Sequence, residues 1–354
     1  MNHLRDILEM LVRAASGQPV PADAWPTADH PAWPAIDNLA SFHRLTPLIA
    51  FRIKEGTCPA PPAPVAAAWA NILQHARLNH LLALGDLIAF QEALTRAGIP
   101  ACPLKGPRLA EDVYPDPGLR VSDDLDLLVA PASREDAFGL LRSLGYYTRE
   151  HSLPFVARYH FHTTWWHRTS GRCIELHTRP ADRSVLPGSP GQGPIDFVTA
   201  LRDDPAAMAV YLAVHLDKHG WLNRYVPTSS ASALVALHPW SGNRLIWLID
   251  LVLYLRRHRI DRPVLEGTAA SWRCENALRN SVRIATALGL MDASTGYDHE
   301  SVTPAPWPLR LLLRRLDRDL EALDTARLVP PWWLRPGRIT GFRPVRIAAM
   351  FGMR

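Results

Sequence analysis

Hydrophobic positions along this chain follow two different rhythms. Residues 1–16 carry apolar side chains at the three- and four-residue steps of an amphipathic helix. Residues 17–36 are rich in Pro, Ala and Trp and read as a loop, and a short helical stretch follows around residues 45–53. A long helix is expected over about residues 66–97, where Leu78, Leu81, Leu82, Ile88 and Leu94 recur at helical spacing and Gly98 is the C-cap signal. The rhythm then changes. Residues 99–104 and 121–129 are strand-length apolar runs. Between them lie a Lys105-Gly106 turn, a short helix opened by Pro107, and a loop from Tyr114 to Gly118. Residues 131–145 read as a helix with Ser133 as N-cap. Two aromatic, His-containing strands, around 161–167 and at 173–177, are joined by a turn at Ser170-Gly171. After a Pro/Gly-rich linker, residues 179–194, helical spacing returns over 206–219, 244–257, 269–288 and 308–323.

These rhythms predict an α/β (α+β) protein. A small mixed β-sheet core is expected over 98–185, an N-terminal helical region over 1–97, a C-terminal helical domain over 195–330 and a basic tail over 331–354. The length of 354 residues and a hydrophobic fraction of 47% supply a sizeable core. The net charge of +5 is concentrated at the end, where residues 301–354 carry ten arginines against four acidic residues. That pattern suits a solvated helix face and an Arg-rich terminus. Residues 330–346 mix Trp with Arg; Trp332 and Trp333 are expected to pack on the helical domain, with a membrane surface, a nucleic acid or a partner as the alternative. Four widely spaced cysteines without a CxxC pair indicate neither a zinc ribbon nor a disulfide framework. The N-terminus lacks a secretory apolar core, and no apolar run approaches the ~20 residues of a bilayer span. A cytoplasmic protein without a transmembrane segment is expected, of an oligomeric state the sequence leaves open.

The chemistry-bearing stretch is residues 104–129. Asp124 and Asp126 stand two apart on an apolar strand, so they share a face. Two same-facing carboxylates are costly without a partner, which points to a divalent cation beside the Lys105-Gly106 turn. Nucleotidyl transfer gives each piece a task. Asp124, Asp126 and Glu175, the last from a neighbouring strand, would hold one or two Mg²⁺ ions. The Gly106 backbone would approach the triphosphate closely, Lys105 would add a point charge, and Arg120 a second phosphate contact. Asp123 would point to the opposite strand face.

The run LKG, YPDPGLR and DDLDLLV, the later IELH, and the helical HLDKHGW and NRLIWLIDL resemble the bacterial family of uncharacterised nucleotidyltransferases, a branch of the polymerase-β-like superfamily. The resemblance covers roughly residues 40 to 260. In most of that superfamily a Gly-Ser turn precedes the helix, where this chain has Lys105-Gly106. The resemblance implies that Asp124 and Asp126 are metal ligands and Glu175 the third carboxylate. It implies NMP transfer from an NTP with release of pyrophosphate and Mg²⁺ as cofactor; the acceptor does not carry over, and the sequence leaves it open between a small molecule, a peptide and an RNA. The alternatives are a nucleotide-binding adaptor or regulator with little turnover, and a phosphohydrolase on the same carboxylates.

Other residues carry bland and sharp readings side by side. His160, His162, His167 and His177 invite a zinc reading, since His160 and His162 would share a strand face, but the interleaved aromatics favour a packed sheet surface. His215 and His219 lie four apart on a helix; the better reading is a nucleotide contact from Lys218 or His219. Asp250, in an apolar helix, is expected to pair structurally with Arg244 or Lys218, and Arg120 has an ion pair with Asp123 as its bland alternative.

Overall fold

The alternation along residues 124–129 decides the architecture, because it gives the central strand two differently covered faces. The structure is a computed structural model that describes residues 4–149, 160–181, 195–220, 233–239, 242–291 and 307–320. The tail over 331–354, including Trp332 and Trp333, lies outside the described residues. Four helices come first: α1 (Leu4–Ser16), α2 (Trp33–Phe42), α3 (Thr46–Lys54) and the long α4 (Ala63–Arg96). The α/β region follows with β1 (Ala101–Pro103), α5 (Pro107–Val113), β2 (Asp124–Val129), α6 (Arg134–Ser143), β3 (Tyr146–Tyr147), β4 (His162–His167) and β5 (Cys173–His177). The remaining helices are α7 (Phe197–Asp203), α8 (Pro205–His219), α9 (Leu245–His258), α10 (Arg262–Trp272), α11 (Glu275–Ala287) and α12 (Trp307–Leu320). No helix among the described residues is long and apolar enough to cross a membrane.

The sheet order is β1-β2-β5-β4-β3. Only β2 and β5 run parallel; the other pairs are antiparallel. Leu125, Leu127 and Val129 of β2, with Ile174 and Leu176 of β5, pack against Leu87, Phe90 and Leu94 of α4 and against Phe138 and Leu141 of α6. Leu128, on the opposite face, joins a second core with Ala209, Val210 and Leu212 of α8. The carboxylate-bearing face is therefore the one under the C-terminal helices. A third core binds α1, α2 and α3 to Leu245, Leu248 and Ile249 of α9, so the first and last helical regions close on each other.

Several local details depart from expectation, each for a physical reason. Helix α2 starts at Trp33 inside the expected loop, with Pro34 in its first turn, where a missing N–H costs nothing. Trp25, Trp33 and Trp69 meet edge to face and anchor it. The helix expected over 269–288 is two helices, broken where Arg273 takes a left-handed φ of 56°. Ser133 makes no side-chain cap bond; residues 131–133 form a 3₁₀ turn and α6 begins at Arg134. The apolar spacing located α4 correctly but not its buried face. Leu78, Leu81, Leu82 and Ile88 are exposed, and burial falls on Trp69, Leu73, His80, Leu87, Phe90, Ala93 and Leu94.

Candidate active site

The register between β2 and β5 brings the acidic residues together. Asp126 pairs with Glu175 and Asp124 with Cys173, so the three carboxylates project from adjacent strands on one face. One oxygen from each of Asp124, Asp126 and Glu175 lies within 4.8 Å of the others. Lys105 reaches the same point from the turn after β1, its Nζ 3.0 Å from Asp126 Oδ2. That turn is fixed to β2 by the Leu104 N–H donating to the Asp126 carbonyl. Gly106 then turns the chain with φ 72° and ψ −140°, a conformation that excludes other residues at little strain. A Cβ there would also stand 3.3 Å from Ser122 Oγ.

His177 sits two residues beyond Glu175 on β5 and so shares its face. Its Nε2 lies 3.0 Å from Asp126 Oδ1 and 3.6 Å from Glu175 Oε2. His162, its cross-strand partner on β4, places Nε2 3.9 Å from Glu175 Oε1. His162, Glu175 and His177 thus form a second cluster of ligand-type atoms sharing Glu175 with the first. His160 lies exposed before the strand begins and His167 bonds Ser170 Oγ, so neither joins it. The sequence reading did not assign His177 to Asp126; the Glu-x-His spacing on a strand was the available signal.

The α8 helix covers this face. Lys218 stands 5.0 Å over the Phe161 ring, half-buried, and burial with the neighbouring Lys105 pushes its pKa down to about 8. The buried Tyr211 hydroxyl has no hydrogen-bond partner among the described residues, and its pKa is held well above the usual value by burial and by Asp126 and Glu175. Nothing in the chain's periodicity marked Tyr211 as anything but core. His215 is buried against Tyr211 and Trp247, and the exposed His219 lies 4.6 Å from the Trp247 ring.

The electrostatics are those of crowded negative charge. Burial, then the Asp126 carboxylate, raises the Asp124 pKa to about 6. Burial alone would raise Asp126 too, but Lys105 and His177 outweigh it and hold that carboxyl well below the usual range. For Lys105, burial opposes the charge and the three carboxylates overcome it, raising its pKa. His177 is raised in the same way, against burial, by its bonds to Asp126 and Glu175. Three oxygen donors of this kind fit a hard divalent cation such as Mg²⁺.

Arg120 requires a correction. Its Nε and Nη2 donate to the Asp250 carboxylate at 2.9 and 2.8 Å, and Nη1 donates to Ser122 Oγ at 2.7 Å. Tyr114 Oη donates to the same carboxylate at 2.8 Å. The guanidinium is 4% exposed and spends three of its five N–H groups on these contacts, so the structure places Arg120 in a buried ion pair away from solvent. Asp250 therefore pairs with Arg120 rather than with Arg244 or Lys218. Asp123 lies in the bend before β2 rather than on a strand face; it is exposed and pairs with Arg44 rather than with Arg120.

Helix α5 and the loop before β2 are held to α4 by similar bonds. Arg77 of α4 donates to Asp116 at 2.7 Å, Asp116 caps the Gly118 N–H at 3.0 Å, and His80 meets Glu111 at 2.7 Å. A Cβ on Gly118 would lie 2.8 Å from the Arg77 Cα. The YPDPG run is thus an anchor to α4.

A family model described as an uncharacterised nucleotidyltransferase matches residues 29–289. The chain belongs to this nucleotidyltransferase family. Membership supports a general role in nucleotidyl transfer, and the family's match spans both the carboxylate strands and the helices that cover them. No curated protein and no solved structure matches the chain.

Proposed function

We propose that this nucleotidyltransferase-family protein transfers an NMP from an NTP to a hydroxyl-bearing acceptor, releasing pyrophosphate, with Mg²⁺ held by Asp124, Asp126 and Glu175. The observation that supports this reading most is the meeting of those three carboxylates within 4.8 Å beside Lys105. Bound there, Mg²⁺ would supply Lewis-acid stabilisation of the attacking and leaving oxygens.

The chain's own groups perform the rest. Lys105 and Lys218 offer positive charge to the triphosphate, and Gly106 lets the backbone approach it without a side chain in the way. His177 holds Asp126 in one orientation from beneath, since Asp126 is 1% exposed and cannot be steered by solvent. Glu175 is the most solvent-accessible of the Asp126–Glu175–His177 group and is the base that takes the acceptor proton. A bond forms from the acceptor oxygen to the α-phosphorus as the bond to pyrophosphate breaks, and the proton passes to Glu175.

The test is a labelled-NTP assay with candidate small-molecule, peptide and RNA acceptors, read by product mass and pyrophosphate release. Asp126→Asn is expected to lower transfer by at least about 100-fold with the circular dichroism unchanged. Wild-type transfer by that variant would sink the assignment. ATP binding without pyrophosphate release from the wild type would favour an adaptor instead.

A further inference from the structure

The long helix α4 has an exposed face that nothing among the described residues covers. Leu78, Leu81, Leu82 and Ile88 are 54%, 65%, 45% and 48% exposed. Asn71, Gln74, Leu78, Leu81, Gly85, Ile88 and Glu92 are all exposed and follow one another in alternating steps of three and four. That is the spacing of a coiled-coil seam, here on the side of α4 turned away from its own core. From Ala67 to Ala89 no exposed residue of this helix carries a formal charge. The two charged residues in that span, Arg77 and Asp86, are partly buried and paired with Asp116 and Arg172.

Gly85 adds an independent sign. Glycine in a helix interior costs stability relative to alanine, and a Cβ here would meet nothing within 4 Å in this chain. A small residue in the middle of an apolar seam admits a large side chain from a facing helix.

The seam is complementary to itself in one antiparallel register. With a two-fold axis near residue 83, Leu81 faces Gly85 of a second copy, Leu78 faces Ile88, and Gln74 faces Glu92. Each layer occurs twice by symmetry, as an isologous interface requires. Large meets small, apolar meets apolar, and polar meets polar, with no like charges opposed. Shifting the register so that Leu78 meets Leu81 puts Gly85 against Gln74 and Ile88 against Asn71, which loses that match.

We propose that α4 packs antiparallel on α4 of a second copy of this chain. The opposite side of the same helix holds Asp116, Glu111 and Arg172, so the dimer braces the loop and strands that carry the carboxylates. This goes beyond the transfer reading and does not depend on it.

Analytical ultracentrifugation of the full chain at tens of micromolar is expected to give twice the 39.5 kDa chain mass. Leu81→Glu is expected to halve that mass and leave the far-ultraviolet circular dichroism unchanged, since the side chain lies outside every core. Leu82→Cys, on the flank of the seam and about 3 Å along the helix from its own copy, should be joined into a covalent dimer by a short bis-maleimide linker, whereas Asn71→Cys, about 36 Å along the axis from its own copy, should not. A wild type at 39.5 kDa overturns the proposal, and so does equal cross-linking at both positions, which would mean parallel helices.

Discussion

Two clusters of buried charge lie close together in this molecule and are built on opposite principles. The Tyr114–Arg120–Asp250 cluster is one cation and one carboxylate, with every guanidinium nitrogen bonded and the tyrosine hydroxyl directed at the same acid. The Asp124–Asp126–Glu175 cluster sets three carboxylates against Lys105 and His177, both paired directly with Asp126, with Lys218 farther off over Phe161. The first is saturated and ties β2's leading loop to α9. The second retains negative charge and an acid whose pKa has risen to about 6. Burial of charge alone does not single out a candidate active site; unbalanced burial is the feature that does so here.

Breaking the saturated cluster should have the largest effect on stability. Asp250→Ala leaves Arg120 buried without its partner and should cost about 3–5 kcal/mol in urea denaturation, with Arg120→Ala in the same range. A cost below about 1 kcal/mol would remove the contrast between the two clusters.

The unbalanced cluster should respond in the other direction. The Asp124 pKa is raised in the folded state, so this carboxyl favours folding while protonated and opposes it once ionised. Without added metal, Asp124→Asn should be more stable than wild type at pH 7.5, and the difference should shrink as pH falls from about 6 towards 4. Added Mg²⁺ should raise the wild-type Tm by a few degrees, about 2–4 °C, with a midpoint near pH 6, and leave Asp124→Asn unmoved. Equal Tm values for the two proteins across that range would contradict the charge imbalance.

The smallest expected effect concerns Lys218. With its pKa near 8, the ammonium is present below that pH and lost above it. Lys218→Ala should raise the KM for NTP about tenfold at pH 7 with kcat little changed, a loss of one phosphate contact. The wild-type KM should rise as pH passes 8, and Lys218→Arg should abolish that rise.

The sequence carried the centre of the fold well because period-two alternation and a required glycine are local signals. The strand expected over 121–129 forms over 124–129, and the strand at 173–177, the helix at 107–113 and the turn at Gly106 stand where the pattern placed them. What it could not carry was partner choice across long separations. Arg120 and Asp250 are 130 residues apart, and nothing in either neighbourhood told a phosphate ligand from a structural ion pair. Helix α2 was missed because Pro and Trp look like loop residues until a first-turn position and an aromatic cluster accommodate them. The exposed side of α4 misled for a related reason: an apolar stripe signals burial, but not by what.

The lone parallel pairing in the sheet sets an order of assembly. Strands β2 and β5 are neighbours in space, yet α6, β3 and β4 lie between them in the chain. Such a contact closes late, because its entropic cost falls due before any reward. A growing polypeptide therefore displays two acids without the third until residue 175 has emerged. On the function proposed above, capture of a cation, and the chemistry that depends on it, would wait until the sheet is complete.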